Sequence, residues 1–169
     1  VRVLFVCTGN TCRSSMAEAL ARHLLREWGE QGVEVSSAGV FALPNAPATE
    51  EAVQALAEEG IDLSGHRARL LTPEMVHEAD LVLTMTGGHK RYVQQLAPEA
   101  KGKTFTLAEY AGVGADLPDP LGQPLAVYRR YAGELRWLLV HALRRLLAGP
   151  RSKDEGGGEK PEKESGGSV

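Results

Sequence analysis

The chain has little cysteine: two thiols in 169 residues, Cys7 and Cys12. A pair so small and so closely spaced excludes the disulfide framework of a secreted mini-domain, and without a second ligand pair it makes a poor structural zinc clip. Long hydrophobic runs are missing too. No apolar stretch approaches the roughly 18 residues of a membrane span, and no charged-then-apolar leader ends in small residues, so neither a membrane segment nor a signal peptide is expected. Nor does one sign of charge prevail. With 19 Lys and Arg against 22 Asp and Glu the formal charge is −3, whereas a nucleic-acid surface would show a basic excess. These absences point to a protein of the reducing cytoplasm. At 43% hydrophobic, a chain of this length can bury a core without staples.

The composition breaks at Gly149. The last 21 residues hold six Gly, no aromatic, four cations and five anions. That is too little apolar surface to offset ordering entropy, so residues 149–169 read as a solvated, disordered tail and residues 1–148 as one folded domain. Within the domain, short β-branched runs alternate with helical periodicity, the pattern of an α/β fold with a mainly parallel sheet. Residues 1–6 form a first strand with Cys7 at its carboxyl end. Met16, Leu20, Leu24 and Trp28 then recur every four residues, one face of a helix that starts near Ser14 and stops at Gly29. Further strands are expected at 33–36, 80–85 and 103–106, the last at an edge, with helices at 48–59, 89–96 and 124–147. The final helix carries a stripe of Tyr128, Tyr131, Leu135, Leu138, Ala142, Leu143 and Leu146, long enough to cover one sheet face.

The chemistry gathers where the first strand ends. Cys7 leads through Thr8, Gly9, Asn10, Thr11 and Cys12 to Arg13 and a helix start at Ser14, and open α/β sheets bind ligands beyond the carboxyl ends of their strands. A loop of this length can curl its backbone N–H groups inward into an anion nest that shares the helix's positive end, a fit for a tetrahedral oxyanion such as phosphate. Arg13 adds a planar fork for two oxygens. The same positive field favours the thiolate form of Cys7, the form that attacks, and the Ser14 hydroxyl can donate to it. In-line attack on phosphorus would give a phosphocysteine and leave a departing group in need of a proton. Asp119, held between Pro118 and Pro120, is the candidate acid and later base, with Asp116 the rival better explained as a turn residue. A buried small hydrophobe at a strand end is the bland alternative for Cys7. His23 falls within the first helix near its surface, His77, His89 and His141 show no pairing in the sequence, and all four read as solvated or structural.

The run Val6 to Ser14, followed by Met16, Ala17, Glu18 and Ala19, resembles the signature of the low-molecular-weight protein phosphatases. The likeness extends over residues 2–147 through Ser37-Ala38-Gly39, Gly65-His66-Arg67-Ala68-Arg69, the third strand and Asp119-Pro120. It implies a single α/β domain of the phosphotyrosine phosphatase I type, a four-stranded parallel sheet with helices on both faces, and a reaction that needs neither metal nor cofactor. By the same resemblance Cys7 is the nucleophile, Arg13 the phosphate binder, Ser14 the thiolate partner and Asp119 the acid and base. Asn10 would shape the loop through hydrogen bonds involving Ser37 and His66, while Thr8, Gly9, Asn10, Thr11, Cys12 and Ser14 line the phosphate site. Oxidation can join Cys12 to Cys7 and shield the nucleophile. One departure is Ser15, where the family nearly always has proline; serine also suits a helix start, so a slightly less rigid loop is expected.

Thr11, and Leu121-Gly122 after Asp119-Pro120 in place of aromatics, resemble the bacterial protein-arginine phosphatase branch, as does the run from Lys103 to Tyr110. A threonine hydroxyl can meet the N–H groups beside phosphorus in phosphoarginine, where an aliphatic side chain would leave them unpaired. Phosphotyrosine is the alternative, with Phe41 offering an aromatic wall. The expected partners are phosphorylated proteins, with phosphate-like oxyanions as inhibitors. Thioredoxin-coupled arsenate reduction would require cysteines after Cys12, and there are none. A phosphate-binding module without turnover would have no use for Asp119.

Overall fold

The computed structural model describes residues 1–149. Four strands, β1 (Arg2–Cys7), β2 (Glu34–Gly39), β3 (Leu81–Thr84) and β4 (Thr104–Thr106), form one parallel sheet in the order β2-β1-β3-β4. Both edges are accounted for: β4 lies at one, as its sequence suggests, and β2 at the other. Because β1 is central and covered on both faces, its apolar run is continuous rather than alternating. Val3, Phe5 and Cys7 face one hydrophobic cluster, Leu4 and Val6 the other.

Helices α1 (Arg13–Glu27), α2 (Glu50–Ala57) and α6 (Leu125–Ala148) pack on the first face; α3 (Pro73–Glu78) and α4 (Gly87–Leu96) pack on the second. The stripe expected on the last helix is buried from Tyr128 to Leu143, with Leu146 packed partly against the same cluster. Helix α1 buries Met16, Leu20 and Leu24 and ends before Gly29, whose φ of 69° lies in the left-handed region that a glycine tolerates.

Three short elements escape the periodicity of the sequence: α3, a 3-10 turn at Pro98–Lys103, and α5 (Leu107–Ala111). The two α-helices are announced by capping rather than by an apolar stripe, and the 3-10 turn by Pro98 at its start. Thr72 caps α3 ahead of Pro73, and Thr106 and Glu109 form a reciprocal capping box on α5. Helix α4 begins two residues earlier than expected because the Thr86 side chain caps it. Strand β2 runs on to Gly39, beyond the expected 33–36, because Ser37, Ala38 and Gly39 pair with Phe5, Val6 and Cys7. Of the segment read as a disordered tail, residues 150–169 lie outside the described residues. Among the described residues no helix is long and apolar enough to cross a membrane, and no group of three or more His, Cys, Asp or Glu could hold a metal ion.

Candidate functional site

The loop from Thr8 to Cys12 joins the carboxyl end of β1 to the first turn of α1. Cys12 occupies the N-cap position without a side-chain cap bond, so no cap side chain takes the first-turn N–H groups. The turn is made by Asn10, at a φ of 59° that asparagine tolerates better than most residues. Its fully buried side chain is saturated. Nδ2 donates to Ser14 Oγ at 2.8 Å and Ser37 Oγ at 2.9 Å, and Oδ1 accepts from the Arg69 amide at 2.9 Å. The Asn10 carbonyl accepts from His66 Nε2 at 2.6 Å. Asn10, Ser37 and His66 therefore meet as the resemblance implies.

Close approach of β2 completes the loop. A Cβ on Gly39 would lie 2.4 Å from the Thr8 carbonyl oxygen and 2.9 Å from the Asn10 nitrogen, so only glycine admits the loop here.

The network reaches the sulfur. Ser14 Oγ accepts from Asn10 and keeps its own hydrogen for Cys7 Sγ, 2.9 Å away, which it donates when the sulfur is a thiolate. The Asn10 backbone N–H donates to the same sulfur at 3.3 Å. Behind them Ser37 Oγ donates to Glu18 Oε1 at 2.6 Å, which leaves its lone pairs for Asn10. Glu18 is thus part of the support, four residues after Ser14 on α1, a role its helical position alone does not announce.

Arg13 is buried, and its guanidinium is spread over long contacts. It reaches the Leu117 carbonyl at 3.4 Å, Thr8 Oγ1 at 3.4 Å and Asp119 Oδ2 at 3.5 Å. Its buried Nε has no hydrogen-bond partner among the described residues. A planar donor with an unpartnered buried N–H beside a ring of amides suits an oxyanion that accepts two hydrogen bonds in one plane.

Asp119 is the half-exposed member of the site. Oδ1 accepts from the Leu121 N–H at 3.0 Å and from the Cys12 thiol at 3.6 Å. Burial first, then the charges of Asp119 and Cys7, push the Cys12 thiol up to about 12, so Cys12 stays protonated beside the carboxylate. Both cysteines are free. Asp116 accepts from the Gly87 N–H at 2.8 Å and so serves the start of α4, a local structural task. The Thr11 carbonyl accepts from the Thr49 N–H at 2.9 Å, whereas its half-buried hydroxyl makes no hydrogen bond among the described residues. Phe41 is 72% exposed beside the loop, bonded through its N–H to the Thr8 carbonyl at 2.9 Å and edge-on to Tyr92 at 5.7 Å.

Three of the four unassigned histidines have polar partners. His89 is buried and paired: Nε2 lies 2.8 Å from Thr8 Oγ1 and Nδ1 3.0 Å from Thr86 Oγ1. Its distance of 81 positions from Thr8 hides this in the sequence. His77 pairs with Glu99 on the surface, and His23 with Glu27 at 3.2 Å one helical turn away. His141 packs edge-on against Trp137.

Over residues 2–148 the chain matches the family described as low molecular weight phosphotyrosine protein phosphatase. It is 46% identical over 146 residues to a protein-arginine-phosphatase of Geobacillus stearothermophilus, covering 86% of this chain and 95% of that protein. A probable low molecular weight protein-tyrosine-phosphatase, EpsP, of Ralstonia solanacearum is 43% identical over 126 residues, covering 75% and 82%. Among solved structures, a cysteine-to-serine form of the YwlE arginine phosphatase with a phosphorylated active-site serine is similar with a TM-score of 0.84 at 43% identity, covering 89% of this chain and 99% of that one.

Proposed function

Because the chain belongs to the low molecular weight phosphotyrosine protein phosphatase family and is a cysteine-dependent protein phosphatase, we propose that its substrate is protein-borne phosphoarginine and that Cys7, Arg13 and Asp119 carry the reaction. The phosphoryl group sits in the nest of loop amides from Thr8 to Arg13, with two of its oxygens on the guanidinium. Cys7 Sγ attacks phosphorus in line with the leaving nitrogen. As the P–N bond breaks, Asp119 delivers a proton to that nitrogen, and a phosphocysteine remains. Water then attacks phosphorus while the Asp119 carboxylate takes its proton; the S–P bond breaks, and inorganic phosphate leaves. Ser14 and the Asn10 amide donate to the sulfur, so the negative charge it recovers as leaving group has two partners waiting.

The observation that carries the chemistry is the directed chain Glu18–Ser37–Asn10–Ser14–Cys7 beside Arg13. For the substrate it is Thr11, whose free hydroxyl lies in the loop where an N–H next to phosphorus would need an acceptor. The edge-on pair of Phe41 and Tyr92 favours a second reading, phosphotyrosine, by offering an aromatic wall. The relative kcat/KM for phosphoarginine and phosphotyrosine peptides, with Thr11→Ile alongside, separates them. The wild type is expected to prefer phosphoarginine and Thr11→Ile to shift the ratio towards phosphotyrosine; a tyrosine preference untouched by Thr11→Ile would reject the assignment. Phosphate-like oxyanions are expected to compete with substrate. The reading places catalysis in residues 1–148 and the protein in the reducing cytoplasm, in keeping with its two free thiols.

A further inference from the structure

We propose that His89 is a positioning residue for Arg13, acting through the Thr8 hydroxyl. The inference rests on the reading of Arg13 as the phosphate-binding group. Of the three contacts that hold the guanidinium, those to Leu117 and Asp119 come from an irregular loop between α5 and α6. Thr8 alone is fixed to the sheet, directly after β1, and its hydroxyl is held in turn by His89 on α4. The support is continuous: Thr86 Oγ1, which caps α4, is 3.0 Å from His89 Nδ1; His89 Nε2 is 2.8 Å from Thr8 Oγ1; Arg13 Nη2 donates to Thr8 Oγ1 at 3.4 Å.

One of these directions follows from its donor. Arginine has donors only, so Thr8 Oγ1 turns a lone pair towards it, and its other lone pair and its hydrogen both stay open to Nε2. A neutral imidazole completes the chain in either tautomer: protonated at Nδ1 it accepts from Thr8 and donates to Thr86, and protonated at Nε2 it donates to Thr8 and accepts from Thr86. Burial and the nearby Arg13 charge keep the ring neutral, lowering its pKa to about 4, with Asp119 and Asp116 opposing the shift from the loop that faces it. At neutral pH His89 therefore holds the Thr8 hydroxyl as a neutral ring and adds no charge to compete with the guanidinium for the phosphate.

The test uses the full chain with p-nitrophenyl phosphate as substrate and inorganic phosphate as competing ligand. His89→Leu removes both ring hydrogen bonds; His89→Gln offers an acceptor and a donor on one terminal amide; Thr8→Val removes the link itself. His89→Leu and Thr8→Val are each expected to lower kcat/KM and weaken phosphate inhibition about tenfold, the scale of one lost hydrogen bond. The double variant should lose no more than either single one, and His89→Gln should stay within about threefold of the wild type. Wild-type behaviour of His89→Leu, a His89→Gln as poor as His89→Leu, or additive losses in the double variant would each overturn the assignment. A core-filling role would lower the Tm of both His89 variants without moving the phosphate inhibition constant. If His89→Leu does not fold, the other two decide: loss in Thr8→Val with retention in His89→Gln supports the assignment, and the reverse overturns it. Cys7→Ser, run in parallel, keeps the readings apart, because turnover in that variant rejects the phosphocysteine mechanism, whereas an inert Cys7→Ser beside a fully active His89→Leu rejects the role of His89 alone.

Discussion

Cys12 donates to Asp119 rather than ionising beside it, and this sets apart two thiols that sit in one loop. With its pKa pushed up to about 12, Cys12 holds little thiolate at pH 8. Iodoacetamide at that pH is expected to leave Cys12 unmodified in the folded protein, as peptide mass spectrometry would show; ready alkylation of Cys12 would contradict the buried contact. Asp119 invites a different test. If it delivers the proton, Asp119→Ala should depress kcat about 10²–10⁴-fold for poor leaving groups, the range of general acid catalysis, and far less for p-nitrophenol, which departs without a proton. Equal losses across a series of aryl phosphates would remove it as the acid. At this scale the groups proposed to react are readable from the sequence because their chemistry is local: a thiol, an arginine and a serine spaced around one turn, and an aspartate between two prolines. Glu18 and His89 are not, since nothing in their neighbours along the chain reveals that Ser37 and Thr8 complete them.

Register between β1 and β2 controls the shape of the loop as much as its own residues do. Cys7 pairs with Gly39, and the missing side chain at Gly39 is what lets Thr8 and Asn10 close over the strand end. Gly39→Ala would drive a methyl into backbone that has no flexible end to yield, displacing the amides proposed to receive phosphate. A loss of about a hundredfold in kcat/KM is expected, the usual scale for misplacing a reacting group by about 1 Å, with far-ultraviolet circular dichroism unchanged. Full activity in Gly39→Ala would show that the loop does not depend on this contact. The strand itself is legible in the sequence through Val33 and Val35, but its last three residues are not, because Ser37, Ala38 and Gly39 carry no β signal and are drawn into the sheet by pairing. Likewise α3 and α5, at six and five residues, are too short for a 3.6-residue period to emerge.

The molecule as a whole is an α/β layer fold whose parallel sheet is clad on both faces, and this much follows from the alternation of apolar strands with amphipathic helices. The order β2-β1-β3-β4 does not follow, since it depends on which crossover packs against which face. Stability should carry the mark of His89. Its folded pKa lies below the unfolded value of 6.5, at about 4, so the contribution is fully present above 6.5 and is lost as pH falls towards 4. The expected loss, up to about 3 kcal/mol over that window, should be visible in urea unfolding and should shrink in His89→Gln; an unchanged acid slope in that variant would show that His89 is not the responsible group. The scaffold that shapes the loop is contributed by Asn10, by Ser14 and Glu18, by Ser37, and by His66 and Arg69, and the proposed acid arrives with Asp119. Along the chain the proposed nucleophile therefore precedes the parts that would arm it, which are spread over the next hundred or so residues. A nascent chain that has not yet reached Asp119 holds Cys7 without its proposed acid, and on the proposed mechanism catalytic power waits until translation of the domain is nearly complete.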